Sequence, residues 1–216
     1  MSESRIGRRR RDAQKEGGDE YLRRKQEVVA AGAQAFAEIG YDKATFADVA
    51  RLAGINRASV YYYFSSKEEL LREVVKEATA HNVASVEAIE RSSLSPEDKL
   101  RRAIEELMAS YSRYYPHMYV LLRMDYRRLN TEGDEQTRAV LQLAARYEES
   151  FTRIVAEGQA SGIFHTVVSA RVTAMSILGM VNWTHRWYVP GGLLSAEEIG
   201  RALADLALRG LLAGNS

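Results

Sequence analysis

Cysteine is missing from the 216-residue chain, which excludes a disulfide framework, a thiol nucleophile, an iron–sulfur cluster and a cysteine-based zinc site. Proline is scarce, at 3 residues, so collagen-like and proline-rich low-complexity chains are excluded too. A long uncharged apolar run is also lacking. The most apolar stretch, residues 167–181, contains Arg171 and several Ser and Thr and falls short of the about 18 apolar residues that a membrane span needs. It reads as a buried helix, and no membrane partner is expected. Arg8, Arg9, Arg10 and Arg11 near the start have no apolar run behind them, unlike a secretory signal, so a cytoplasmic location is expected. The chain has no glycine-rich phosphate loop followed by Lys-Ser/Thr, no G-x-S-x-G elbow and no H-E-x-x-H pair. Its four histidines, His81, His117, His165 and His185, are too far apart to form a local metal motif. No metal, no cofactor and no enzymatic activity are therefore expected.

The chain does have the composition of an ordinary globular protein, 46% hydrophobic and 27% charged, with room for one large domain or two small ones. A net charge of +1 hides an uneven division: residues 1–67 carry 13 Lys/Arg against 9 Asp/Glu, and residues 68–216 carry 17 against 20. The excess of positive charge sits at the N-terminal end. Five arginines fall within residues 5–11, a cluster that attracts a polyanion such as nucleic acid or an acidic membrane surface. Residues 1–20 are expected to form a disordered basic arm.

After residue 20 apolar residues recur at spacings of three and four, and most Gly and Pro fall between the periodic segments, so almost everything reads as helix. The first helix is expected over residues 21–39, with Leu22, Val29, Ala33, Phe36 and Ala37 on one face and Gly40 as its stop. Thr45 with Asp48 forms a capping box for a short helix that Gly54 ends, and a second short helix follows over residues 57–63. Ser66 with Glu69 is another capping box, opening a helix to about residue 88. Ser95-Pro96-Glu97-Asp98 starts a helix that runs to residue 114, ahead of Pro116. Further helices are expected over residues 118–129, 134–161, 169–188 and, behind the capping box Ser195 and Glu198, 195–212. The expected fold is all-α: a small three-helix unit over residues 21–67 and a larger bundle over 68–216.

Two short helices joined by a turn containing Gly, behind an amphipathic support helix, match the helix-turn-helix whose second helix enters the DNA major groove. Here Val49, Ala50, Ala53, Ile55 and Val60 would form the small core, with Arg57, Ser59 and Tyr62 facing outward. A plain helix hairpin has the same pattern; the basic arm beside it favours DNA.

The run from residue 28 to residue 71 contains Phe36-x-x-x-Gly40-Tyr41, Thr45, Ala53-Gly54-Ile55, Ser59-x-Tyr61-x-Tyr63-Phe64 and Ser66-Lys67-Glu68-x-Leu70. In this order it resembles the N-terminal domain of TetR-family transcriptional regulators. Gly32 departs from the usual Ala, at about 1 kcal/mol of helix propensity unless close packing requires it. The resemblance implies a double-stranded DNA operator as partner, with phosphate contacts from Thr45 and Lys67 at helix starts and a backbone contact from Tyr61. It places Arg57, Ala58, Ser59 and Tyr62 on the groove face, Arg57 being suited to a bidentate contact with guanine. Tyr63 and Phe64 would be core.

The resemblance also implies a homodimer joined through the last two helices. Suitable stripes are Val172, Met175, Gly179, Trp183 and Arg186 on one helix and Ile199, Leu203, Leu206 and Gly210 on the other, although the same stripes could fill the chain's own core. Tyr111, Tyr114, Tyr115, Met118, Tyr119, Met124 and Tyr126 cluster in the middle helices, either as plain core or, by the resemblance, around a small-molecule effector. The lining expected on the second reading is Tyr111, Tyr115, Tyr119, Leu122, Arg123, Tyr126 and Trp183. The segment NWTHRWYVPGG is similar to one in a branch of the family that answers to acyl-CoA thioesters in fatty-acid and sterol catabolism. The expected function is thus a ligand-responsive repressor. Its alternatives are a multidrug-type regulator answering to planar aromatic compounds, or an architectural DNA-binding protein with no effector.

Overall fold

The structure is a computed structural model that describes residues 18–123 and 135–212. Among the described residues there are nine α-helices, one short 3-10 turn and no strand beyond an isolated bridge between Phe164 and Leu212. The chain divides into two compact units, Met1–Lys76 and Glu77–Ser216. No helix among the described residues is long and apolar enough to cross a membrane.

In the first unit, α1 spans Gly18–Ile39, starting three residues before the expected position, and buries Tyr21, Val28, Ala31, Gly32, Ala33, Ala35 and Phe36. Leu22, expected on this face, is instead 53% exposed. Tyr21 takes the inward position there, its ring 6.0 Å from Tyr62 and 5.3 Å from Tyr63. Gly32 is closely packed: a Cβ at this position would lie 2.8 Å from a methyl of Leu70, a side chain with no exposure. The missing methyl is therefore a packing requirement that offsets the helix-propensity cost.

Helix α2 spans Phe46–Ala53 and α3 spans Arg57–Tyr63. Both halves of the Thr45–Asp48 capping box form, and Gly54 ends α2 in the left-handed conformation at φ 66°, which costs glycine little. Val49, Ala50, Val60 and Phe64 are buried, while Ala53, Ile55 and Tyr63 are only partly so. Helix α4, Lys67–Arg91, crosses the boundary between the units. The Glu69 amide donates to Ser66 Oγ at 3.1 Å. The Glu69 carboxylate, however, accepts from the amide and hydroxyl of Ser65 at 2.8 and 2.7 Å, so the reciprocal half of the expected Ser66 box closes one residue earlier.

In the second unit the remaining elements are α5 (Pro96–Arg113), α6 (His117–Arg123), α7 (Glu135–Ala160), α8 (Ala170–Asn182), the turn Trp183–Arg186 and α9 (Ala196–Leu211). Ser95 and Ser169 cap α5 and α8, and Ser195 with Glu198 caps α9. Helix α9 lies close against α5, with Gly200 at the contact: a Cβ there would sit 3.2 Å from the Glu105 backbone and 3.3 Å from Met108. Helix α8 stops six residues before the expected end. Beyond Asn182 the chain tightens, the amides of Trp187 and Tyr188 both donate to the Thr184 carbonyl, and Tyr188 is buried while Trp183 and Trp187 stay exposed.

Candidate nucleic-acid interface and effector cavity

The geometry of the first unit centres on the start of α3. Asn56 caps that helix, its Oδ1 accepting from the Ser59 amide at 2.8 Å and the Ser59 hydroxyl at 3.0 Å. The hydroxyl of Ser59, expected at the groove, is therefore used within the cap. Arg57 and Ala58 are exposed. The guanidinium of Arg57 lies 5.6 Å from the centre of the Tyr61 ring and donates to its hydroxyl at 3.2 Å, while that ring sits edge-on to Phe46 at 4.9 Å. Tyr61 thus holds an exposed guanidinium at the helix start. Tyr62 is half-buried against Tyr21 and Tyr63, so only part of it faces outward.

Two expected phosphate donors are engaged inside the unit. Lys67 Nζ donates to the carbonyls of Tyr41, Asp42 and Ala44 at 2.7, 3.1 and 3.1 Å and lies 4.6 Å from the centre of the Tyr41 ring. An ammonium has three donors, so those three carbonyls take its whole capacity; Lys67 is a brace for the loop before α2 rather than an exposed cation. The Thr45 hydroxyl donates to Asp48 Oδ2 at 2.7 Å. That bond, with the one from the Thr45 amide, holds the Asp48 carboxyl below its usual range. In contrast, Lys43 on the same loop is exposed and pairs with no carboxylate among the described residues. Sequence reasoning passed over it because nothing local distinguishes one surface lysine from another. Arg8, Arg9, Arg10 and Arg11 lie outside the described residues.

The second unit has a half-open cavity of about 400 Å³, within the range of small-molecule sites. Its wall is mostly apolar, from Val83 on α4, Leu107 on α5, Met118 and Leu122 on α6, Leu141 on α7 and Met175 and Leu178 on α8. Polar groups come from Thr79, Asn82, Tyr111, Tyr147, Glu148 and Asn182. The Tyr111 hydroxyl donates to Asn182 Oδ1, and burial pushes that phenol well above its ordinary pKa. Asn82 Nδ2 points to the Met118 sulfur at 3.7 Å, and its Oδ1 is buried with no hydrogen-bond partner among the described residues. A buried orphan acceptor costs about 1–3 kcal/mol, which a ligand donor would relieve.

Of the expected lining, Tyr111 and Leu122 are in place. Tyr119 is buried but outside the wall, its hydroxyl donating to the Tyr188 carbonyl. Tyr115 is 44% exposed and packs edge-on against Tyr119, and Trp183 is 58% exposed under the guanidinium of Arg186. Tyr126 and Met124 lie outside the described residues, as does the side chain of Arg123 at the end of α6. Met175 and Gly179, expected at a dimer contact, line the cavity. Ile199 is buried in the core of its own chain and Leu203 packs against that core. Leu206, Gly210 and Arg186 face outward.

A helix-turn-helix with an exposed arginine at its second helix, together with a separate helical unit with a cavity, is the architecture of a DNA-binding regulator. Family models agree: "Bacterial regulatory proteins, tetR family" matches residues 28–74 and "Tetracyclin repressor-like, C-terminal domain" matches residues 93–211. The chain belongs to the TetR family of transcriptional regulators, which act by binding DNA and are not enzymes. Among relatives, the HTH-type transcriptional repressor KstR2 of Mycolicibacterium smegmatis is 28% identical over 193 residues, covering 87% of this chain and 90% of its own. The structure of the regulator PfmR from Thermus thermophilus is 32% identical with a TM-score of 0.74, covering 86% of this chain and 99% of that one. A structure of AibR with isovaleryl coenzyme A and operator DNA shares the fold, at 19% identity and a TM-score of 0.70, covering 85% of this chain and 97% of that one.

Proposed function

We propose that the protein is a dimeric repressor released from its operator by a small hydrophobic effector, and that the effector is an acyl-CoA thioester whose acyl part enters the cavity. The observation that carries this reading is the cavity itself, an apolar wall interrupted by phenol and amide groups, which suits a greasy body with a polar handle. AibR, of the same fold, binds an acyl-CoA and operator DNA together. Two copies would join through α8 and α9, where Val172 and Leu206 are exposed apolar groups, with the exposed Trp183 in the turn just after α8. Arg57 would read a base edge, with Ala58, Tyr61 and the free edge of Tyr62 beside it, while Lys43 and the arginine arm would meet phosphates. The effector acts through its different affinity for the operator-bound and released states.

The test is a titration of operator-bound protein with CoA, free fatty acids, acyl-CoAs and planar aromatic dyes. Release by acyl-CoAs alone is expected. Release by dyes and by no thioester would make this a multidrug-type regulator, and release by nothing would leave a DNA-binding protein without an effector.

A further inference from the structure

The polar atoms of the cavity wall are unequally occupied. Tyr111 is committed to Asn182 Oδ1, which fixes that amide so that its Nδ2 is the end left over. Neither Asn182 Nδ2 nor the Tyr147 hydroxyl makes a hydrogen bond to any described residue, although both side chains line the cavity. Burial, helped by the negative charge of Glu106, raises the Tyr147 phenol above its ordinary pKa, so it remains a protonated donor. The wall therefore offers two unused donors. Its charge is the opposite of what an anion needs. Among the described residues the lining holds no Lys, Arg or His, and its one acidic side chain is Glu148, partly exposed and paired with Arg171 at 3.9 Å.

We propose that Tyr147 and Asn182 recognise a neutral hydrogen-bond acceptor, a carbonyl of an ester, thioester or ketone, on the buried part of the effector, and that Glu148 rejects the corresponding free carboxylate. A carboxylate entering this wall would lose its hydration and face Glu148, a like charge that Arg171 meets only at 3.9 Å, and no described lining residue carries a positive charge. A neutral carbonyl loses far less hydration and gains two donors. This rests on reading the cavity as the effector site, but it does not depend on the CoA portion.

The experiment is displacement of the neutral dye Nile red from the full-length protein by octanoate, methyl octanoate, nonane, octanoyl-CoA and the octyl-CoA thioether, which lacks the carbonyl. Methyl octanoate should displace the dye at a concentration at least tenfold lower than octanoate. Tyr147→Phe should weaken methyl octanoate about tenfold, equivalent to about 1.4 kcal/mol, and leave nonane unchanged. Glu148→Gln should gain affinity for octanoate, a gain that misfolding cannot produce. Octanoate binding as tightly as its ester, or a Tyr147→Phe protein that keeps full affinity for the ester, would overturn the proposal, as would failure of every probe to displace the dye. If the ester behaves as expected while octanoyl-CoA neither binds nor releases operator, the thioester reading fails and this one stands.

Discussion

The two units are held together in different ways. The first keeps its short helices in place with polar bonds made at their ends: the Thr45–Asp48 box, Asn56 to Ser59, Ser65 to Glu69, and Lys67 across three carbonyls. The second is built from longer helices packed over Tyr111, Phe151, Ile154 and Met108, and it leaves a cavity in place of part of its core. A helix of eight residues has few turns over which to bury an apolar stripe, so its position depends on caps. A bundle of helices up to 26 residues long has apolar area to spare and tolerates a hollow. Position is what a groove-reading helix requires, and a hollow is what an effector requires.

The largest expected effect is on the second unit's packing. Gly158→Ala would place a Cβ 2.1 Å from the Phe164 ring, and since that ring is buried at the α7–α8 turn, overpacking should cost about 3 kcal/mol. Gly179→Ala, inside α8 and with a Cβ that meets nothing within 4 Å, should instead raise the melting temperature slightly, through about 0.5–1 kcal/mol of helix propensity. Equal effects from the two substitutions would show that the unit is not tightly packed away from its hollow. Next comes the brace of the first unit. Lys67→Ala frees three carbonyls that are partly open to water, so it should cost about 2 kcal/mol of stability as well as weakening DNA binding. A variant with unchanged unfolding that only bound DNA less well would return Lys67 to the role of a phosphate contact.

Arg57→Ala should cost about 1–3 kcal/mol on the preferred site and relax preference at one base pair, with little change in melting temperature because the side chain is exposed. Lys43→Ala, measured over a salt series, should weaken all sequences alike and reduce the log–log slope by about 0.9. Arg57→Ala lowering stability without altering base preference would mean that α3 does not present this residue to the groove.

These contrasts follow the range over which partners act. The Thr45–Asp48 and Ser195–Glu198 boxes, Gly54 and the bounds of α2 and α3 were legible because each rests on residues three or four apart. The brace made by Lys67 was not legible because its three acceptors lie 23–26 residues away, and no local pattern marks a lysine as a brace. The cavity was legible only as an aromatic cluster. Tyr147 has the spacing of an ordinary core ring, Asn82 and Asn182 look like surface amides, and all three meet only once α4, α7 and α8 are packed. Met175 and Gly179 sit on a stripe that fits a dimer contact or an inner wall equally well, and tertiary packing alone places them in the wall. Leu22 shows the same limit at small scale, since a shift of one residue along α1 gives the inward position to Tyr21.

The smallest effect is on acid stability, and it separates the units by composition. All four histidines lie in residues 77–216, and of these burial holds His117, at the start of α6, below its ordinary pKa, against an opposing pull from Glu77. The unfolded chain then binds the proton more readily than the native one, so stability rises with pH across this window. The contribution is fully present above the unfolded value of about 6.5 and is lost as pH falls through the lowered native value. Both tryptophans, Trp183 and Trp187, belong to the second unit, so a melt followed by tryptophan fluorescence reports that unit alone. Its midpoint should fall modestly between pH 7.5 and pH 5.5, and His117→Gln should flatten the fall. The first unit, with no histidine, should unfold at a nearly constant temperature over the same range when followed through amide signals of α1. A tryptophan melt as steep in the His117→Gln protein as in the original would rule out burial of this imidazole as the cause.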